Sequence, residues 1–154
     1  MFGYLFISEL LSLIPGKIGI WVRRVWYEHV FSGTASGPKH LTVNWLAVIR
    51  TERAVIRGDY VSIGPGCWIG EAIINDNVKI ANNVTVLSGM HQHIKGKGAK
   101  RIIIGSNCWI GAHAVIGADV APDTVVGAGA VVTRTYKRGQ TLVGIPARPI
   151  KGRK

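Results

Sequence analysis

Val61-Ser-Ile-Gly-Pro-Gly-Cys-Trp-Ile-Gly70 is the stretch that shows the internal repeat of this chain most clearly, and Cys108-Trp-Ile-Gly-Ala-His-Ala-Val-Ile-Gly117 repeats it. In both stretches an isoleucine followed by a glycine returns after six residues. The same spacing is found elsewhere, for example from Ile80 to Val86. A period of six matches neither the 3.6-residue turn of an α-helix nor the simple alternation of a long strand.

A second set of residues accompanies the repeat, two positions before each aliphatic residue. Its members are small, β-branched or cysteine: Val61, Cys67, Val78, Val84, Ile102, Cys108, Ala114, Thr124 and Ala130. We expect one residue of each pair to be the large inward side chain and the other to fill the space beside it. Short β-branched strands separated by turns indicate a prism with an axial aliphatic core, and three faces would make a coil of about 18 residues.

Both quoted stretches resemble the repeats of the hexapeptide-repeat acyltransferases, and the resemblance extends from about Leu41 to Ile150. It implies an all-β fold, a left-handed parallel β-helix, which is an exception to the usual right-handed crossover. We therefore expect an N-terminal helical segment over residues 1–40 and a β-helix acyltransferase domain over residues 41–154. The second domain would carry a loop at 90–101 and a short, basic C-terminal tail.

Three irregularities interrupt the repeat. The spacing falls from six to five after Ile69, which predicts an irregular turn near residues 71–73. It falls from twelve to ten after Ile116, where Pro122 is expected to shorten one corner because proline cannot donate to a central ladder. Between residues 90 and 100 the pattern dissolves, and insertions on one face of a solenoid often carry function.

His91 lies at the start of this last interruption. The run Asn77-Val-Lys-Ile-Ala-Asn-Asn-Val-Thr-Val-Leu-Ser-Gly-Met-His91 resembles the segment that ends in the catalytic histidine of galactoside, maltose and polysaccharide acetyltransferases. The resemblance implies that His91 is the general base. His93 is the less favoured alternative, considered because Met90 stands where the family often has Gly or Ser. An imidazole with a pKa of about 6.5 can take the proton of an attacking hydroxyl and return it to the departing thiolate. The two cysteines of the repeat are expected to be inert core residues.

The resemblance also implies a coenzyme A site. Asn107-Cys-Trp-Ile-Gly-Ala112, Val126-Gly-Ala-Gly-Ala-Val-Val-Thr-Arg134 and Gly144-Ile-Pro-Ala-Arg-Pro-Ile-Lys151 match three motifs of the family. Residue by residue, they assign Trp109, Ala112 and Ala128 to the pantetheine arm, Thr133 and Arg134 to the nucleotide, and Arg148 and Lys151 to the phosphates. Because Trp68 lies in a near-identical motif, a plain outward aromatic is the alternative for Trp109. An acyl carrier protein is the alternative donor.

The charge of the chain is unevenly distributed. Its 154 residues carry a formal net charge of +11, much of it within residues 95–101 and 134–154. The two cysteines exclude a disulfide scaffold, and an apolar fraction of 47% excludes a disordered chain. A basic tail favours polyanions or is simply solvated, but no nucleic-acid motif accompanies it, so nucleic acid is not an expected partner.

Two short helices are expected before the repeat, over Met1–Ile14 and Lys17–Phe31, separated by Pro15-Gly16. The first would be about 21 Å long, too short for a bilayer core of about 30 Å, and it lacks the features of a signal peptide. Tryptophans and arginines in the second suit a membrane headgroup boundary, and the start is similar to that of several polysaccharide O-acetyltransferases. The alternative is that the two helices cap the end of the β-helix or pack at the interface between subunits.

Together these observations predict an O-acetyltransferase that moves an acetyl group from acetyl-CoA to a sugar hydroxyl in surface polysaccharide or glycolipid biosynthesis. The family implies a homotrimer, and the N-terminal segment favours a cytoplasmic enzyme at the inner face of the membrane with a lipid-linked saccharide acceptor. No metal is expected. The alternatives are a carbonic-anhydrase-like metalloenzyme using His91, His93 and His113, or a membrane-surface scaffold without activity.

Overall fold

The structure is a computed structural model that describes residues 2–31, 40–49, 55–87 and 101–150. Two helices, α1 (Phe2–Ser12) and α2 (Gly16–Phe31), come first. The strands that follow are β1 (Leu41–Val43), β2 (Val48–Ile49), β3 (Val55–Ile56), β4 (Val61–Ile63), β5 (Trp68–Ile69), β6 (Ala72–Ile74), β7 (Lys79–Ile80), β8 (Thr85–Val86), β9 (Ile102–Ile104), β10 (Trp109–Ile110), β11 (Val115–Ile116), β12 (Val125–Val126), β13 (Val131–Val132), β14 (Thr141–Val143) and β15 (Arg148–Ile150). The two helices and the break at Pro15 confirm the helical N-terminal segment.

The strands form three parallel sheets, which we name faces A, B and C. Face A runs β1-β4-β7-β10-β12-β14, face B runs β2-β5-β8-β11-β13, and face C runs β3-β6-β9. Through the first three coils, successive strands occupy A, B and C in turn, and each strand pairs in parallel with the equivalent strand of the next coil. The chain therefore winds as a three-sided parallel β-helix, as the six-residue period predicts.

The core is the axis of this prism. Both members of each predicted pair are buried, for example Cys67 and Ile69 on face B and Cys108 and Ile110 on face A. The residue between them, such as Trp68 or Trp109, points outward. The paired inward positions are therefore confirmed, and Val61, Cys67 and Ala114 fill the axis beside the larger Ile63, Ile69 and Ile116.

Two corners of the prism have a backbone feature that the periodicity does not reveal. One residue at each corner adopts a positive φ, between 52° and 73°. Between faces A and B these residues are Leu46, Gly66, Asn83, His113 and Gly129, and between faces C and A they are Tyr60, Asn77, Asn107, Asp123 and Gly139. Asn, Asp and Gly tolerate this left-handed conformation best, which explains their recurrence at the corners. After the first coil, the corner amides donate to carbonyls of the coil before, as from Gly129 N–H to the Ala112 carbonyl at 2.8 Å.

The irregularities of the repeat fall at the corners of the prism. The five-residue spacing after Ile69 comes from a short corner at Gly70 and Glu71, whereas residues 72–74 form the regular strand β6, so the expected irregular turn lies slightly earlier. After β11, face C is reduced to one bridge between Ile104 and Val120, and Pro122 occupies the following turn. The third interruption separates β8 on face B from β9 on face C.

The two ends of the prism are covered differently. At the N-terminal end, α2 packs on β1 and α1 packs near β2, and Tyr27 joins the buried core. At the C-terminal end, β15 returns antiparallel to β14, with Arg148 opposite Val143. No helix among the described residues is long and apolar enough to cross a membrane.

Candidate active site

Trp109 lies on the outward side of face A, on β10, which β12 separates from the C-terminal strands β14 and β15. Its register partners are Lys79 on β7 and Val125 on β12, and 50% of its surface is exposed. Trp68 lies on face B instead, between Val48 and Thr85, and is 38% exposed. The two near-identical motifs thus present their indoles on different sides of the molecule.

Ala112 and Ala128 are stacked at the corner between faces A and B. Ala112 accepts the Gly129 amide at 2.8 Å, which places the two corners directly one above the other. The coils are so close that a Cβ added at Gly111 would lie 2.5 Å from the Ala128 nitrogen. Gly111 therefore has no room for a side chain, and Ala112 and Ala128 contribute only methyl groups to this corner, which we call the flat corner.

Arg134 and Arg148 meet at the C-terminal end of the prism. The Arg134 Nε donates to the Tyr136 hydroxyl at 2.9 Å, and the Arg148 Nη1 donates to the same oxygen at 3.1 Å. The Tyr136 hydroxyl in turn donates to the Ala147 carbonyl at 2.7 Å. The hydrogen bond from the Arg134 guanidinium, with a smaller contribution from Arg148, lowers the pKa of Tyr136. Two guanidinium groups held on one hydroxyl form a compact cationic cluster that suits a phosphate.

Tyr136 links two predicted residues, although the sequence motifs do not single it out. Its only signal is its place in the cationic run Arg134-Thr-Tyr-Lys-Arg138. The motifs also do not reveal a polar ladder along the corner between faces C and A. There Asn107 donates to the Asp123 carboxylate at 2.9 Å, and Arg138 pairs with the same carboxylate. The Asn107 bond and then the Arg138 bond lower the pKa of Asp123.

Three predicted site residues, His91, His93 and Lys151, lie outside the described residues. The chain leaves face B at Leu87 and reaches face C again at Ile102, so the segment that contains His91 joins these two faces. Trp109 belongs to face A. Thr133 is exposed directly after β13 on face B.

Among the described histidines, His113 follows Ala112 at the corner between faces A and B, whereas His29 and His40 precede the first strand. His113 is an exposed corner residue, as expected, and His29 is exposed on α2. His40 stacks on Tyr60 with ring centroids 4.4 Å apart, and its Nδ1 lies 3.0 Å from the Asp59 carboxylate. Within the described ranges, no three His, Cys, Asp or Glu side chains are grouped to hold a metal ion.

Both cysteines are buried free thiols. Burial raises the pKa of Cys67 and of Cys108, so both thiols stay protonated at neutral pH. Each also contacts a carbonyl of the neighbouring coil, Ala81 at 2.9 Å for Cys67 and Ala121 at 3.1 Å for Cys108. This environment confirms that both cysteines are core residues.

A three-sided coil with a six-residue repeat is the architecture of a hexapeptide-repeat protein, and comparison with known proteins agrees. A family model described as the hexapeptide repeat of succinyl-transferase matches residues 101–134. The chain is similar to the galactoside O-acetyltransferase of Escherichia coli (strain K12), with 38% identity over 86 residues, which is 51% of this chain and 42% of that protein.

Solved structures share the same fold. A hexapeptide-repeat-containing acetyltransferase from Vibrio cholerae has a TM-score of 0.66 and 19% identity, covering 97% of this chain and 90% of that one. An N-acyltransferase from Bacillus cereus, solved as a variant with a dTDP-amino sugar and coenzyme A, has a TM-score of 0.60 and 20% identity, covering 76% of this chain and 72% of that one. The chain therefore contains the hexapeptide repeat and is similar to acetyltransferases that share this fold. It spans about two fifths of the length of the curated relatives that it matches.

Proposed function

We propose that this protein is an O-acetyltransferase that moves an acetyl group from acetyl-CoA to a sugar hydroxyl in surface polysaccharide or glycolipid biosynthesis. The observation that carries the proposal is a set of three neighbouring features on the last coils. These are the outward indole of Trp109, the flat corner at Ala112 and Ala128, and the cationic cluster of Arg134 and Arg148. The similarity to a galactoside O-acetyltransferase supports the choice of a sugar hydroxyl.

The three features match the chemical parts of a coenzyme A thioester. An indole face and a flat corner suit a long, thin, largely apolar arm, because bulky side chains would hold the arm off the surface. The guanidinium groups suit phosphates, with Thr133 beside Arg134 and Lys151 adding further donors in this proposal. Tyr136 holds both guanidinium groups in place, so they need not lose much side-chain entropy on binding.

The proposed mechanism uses His91 as general base. Neutral imidazole takes the proton of the sugar hydroxyl as its oxygen attacks the thioester carbonyl carbon. The tetrahedral intermediate then breaks its carbon–sulfur bond, and the imidazolium returns the proton to the departing thiolate. The products are the acetylated sugar and the free thiol of coenzyme A. General base catalysis of this kind contributes about 10²- to 10⁴-fold to the rate.

We further propose a homotrimer with a left-handed coil, in which the site lies between neighbouring subunits. Its support is the resemblance to the hexapeptide-repeat acyltransferases, which implies a trimer with the site between adjacent prisms. A lipid-linked acceptor handled at the inner face of the membrane would place the enzyme in the cytoplasm, at the bilayer surface.

The test is acetyl transfer by the full chain, followed as release of free thiol from acetyl-CoA with a panel of glycans. We expect His91→Ala to lower kcat by about 10²-fold or more, because the hydroxyl loses its base. His93→Ala is the matched control, since it removes a neighbouring imidazole from the same segment, and it should retain most of the activity.

Two results would contradict this assignment. Full turnover by His91→Ala would remove the proposed base, and a collapse caused only by His93→Ala would move the role to that residue. Circular dichroism and the oligomeric mass of both variants must match the parent chain, so that lost activity reports chemistry and not unfolding.

A further inference from the structure

The helices α1 and α2 bury several polar side chains where they pack on the prism. Among their fully or nearly fully buried side chains are Ser8, Ser12, Arg23 and Tyr27. Arg23 has no exposed surface, and its guanidinium donates to the carbonyls of Leu11, Ile14 and Val43 at 2.7–2.9 Å. An ordinary surface helix places its apolar stripe against the core and its polar residues in water.

The same helices, with the turn at Leu13, leave seven apolar side chains exposed within the described structure. We call them together the outer apolar face: Phe6, Ile7, Leu10, Leu13, Ile18, Trp21 and Val25. Three of them are largely exposed, with 68% for Phe6, 73% for Ile18 and 65% for Trp21. The members on α1 and α2 recur at helical spacing, so each helix gives a continuous stripe. A contiguous apolar surface of this kind marks an interaction site.

We propose that the outer apolar face binds the surface of a bilayer that contains anionic phospholipids. Neither helix is long enough to cross the membrane, so the hairpin would lie in the headgroup boundary with this face toward the acyl chains. The indole of Trp21 is the type of side chain that prefers that boundary. Lys17 and Arg24, which are exposed on α2 beside Trp21, are the positive charges that would meet anionic headgroups.

The charges beside the face favour a lipid surface over a second protein copy. Lys17 precedes Trp21 by one turn and Arg24 follows it by nearly one turn, and both are exposed. Arg24 also pairs with Glu28 at 2.7 Å, and Glu9 is the exposed acid of α1. The cores of subunit interfaces are depleted in lysine, whereas an interfacial helix keeps its lysines at the rim, where their stems reach the headgroups.

The test is co-sedimentation of the full chain with vesicles, which needs neither substrate nor activity. Vesicles of 30% phosphatidylglycerol in phosphatidylcholine are compared with pure phosphatidylcholine, each at low and high salt. We expect binding to the anionic vesicles, weakened by salt. The double variant Leu10→Gln, Trp21→Gln should bind at least about tenfold more weakly, since two large apolar side chains no longer enter the bilayer.

Ile103→Gln is the matched control, because Ile103 is an exposed isoleucine on face C, away from the helices. It should bind vesicles like the parent chain. Absence of binding to anionic vesicles, or unchanged binding by the double variant, would overturn the proposal. So would a double variant that keeps its vesicle binding but shows a smaller oligomer by light scattering, since the face would then lie between copies. These outcomes are independent of whether acetyl transfer is confirmed.

Discussion

The two Cys-Trp-Ile-Gly segments of this protein have the same four residues and different positions. Cys67 and Ile69 are buried on face B, and Cys108 and Ile110 are buried on face A. The inward roles are therefore equal in the two copies. The outward tryptophans differ in their neighbours, because Trp68 is flanked by Val48 and Thr85, and Trp109 by Lys79 and Val125.

The difference has a geometric cause. The motif specifies which side chains point to the axis, whereas the face depends on how many strands precede it in the coil. β10 comes five strands after β5, and on a three-sided prism this shift changes the face. A hexapeptide motif thus encodes the core locally, and the position of an outward residue in a site is a property of the whole coil.

The largest expected effect is on the free energy of unfolding, and it tests whether Ile69 and Ile110 have the same role in the core. Ile69→Ala and Ile110→Ala each remove a fully buried side chain from the axis and leave a cavity. We expect each to lower the free energy of unfolding by about 2–5 kcal/mol, as measured by urea denaturation. Ile103→Ala, at an exposed isoleucine, should change it by less than about 0.5 kcal/mol.

If the two substitutions lowered the free energy of unfolding by clearly different amounts, Ile69 and Ile110 would not have equivalent positions in the core. A loss near zero at either position would mean that the axis there collapses without penalty, which contradicts a close-packed prism. The m-value should stay constant, so that the change reports the native state and not the compactness of the unfolded chain.

An intermediate effect, on KM for acetyl-CoA, should distinguish the role of Trp109 from that of Trp68. On the proposed function, Trp109→Ala removes an aromatic face from the donor, and Trp68→Ala removes an equivalent indole from another side. We expect Trp109→Ala to raise KM for acetyl-CoA severalfold, up to about tenfold, given about 0.5–1.5 kcal/mol for an aromatic contact. Trp68→Ala should leave this KM within about twofold. Equal effects of the two substitutions would remove Trp109 from the donor site.

Much of the fold follows from residue spacing alone. The prism, its inward pairs and the two N-terminal helices come from local periodicities of six and about 3.6 residues, which every coil or turn repeats. The burial of both cysteines follows from the same register. Even the departures were visible as changes of spacing, although the one after Ile69 falls at the corner and not within β6.

The remaining features depend on contacts between distant residues. Arg23 looks like a surface cation of α2, but it binds carbonyls of α1 and β1, which lie up to 20 residues away. Tyr136 becomes important only when β15 folds back and brings Arg148 to it. Leu46 and Tyr60 adopt positive φ although neither residue type favours it, because the stacked corners impose that conformation. Such constraints are absent from any window of the sequence.

The smallest effect concerns the two thiols. Burial raises the pKa of Cys67 and of Cys108, so the native state holds these protons more tightly than the unfolded chain does. The resulting stabilisation is complete below the ordinary thiol pKa of about 8.5 and is lost as pH rises through the higher native values. The free energy of unfolding should therefore fall more steeply above that pH in the parent chain than in the double variant Cys67→Ala, Cys108→Ala.

The two thiols should also react equally with a thiol reagent at pH 8, and only as fast as the chain unfolds. Their environments are matched, with a carbonyl of the neighbouring coil 2.9 Å from Cys67 and 3.1 Å from Cys108. Rapid labelling of Cys108 alone would mean that the coil beneath Trp109 opens on its own. In that case the two copies would differ in their core as well as on their surface.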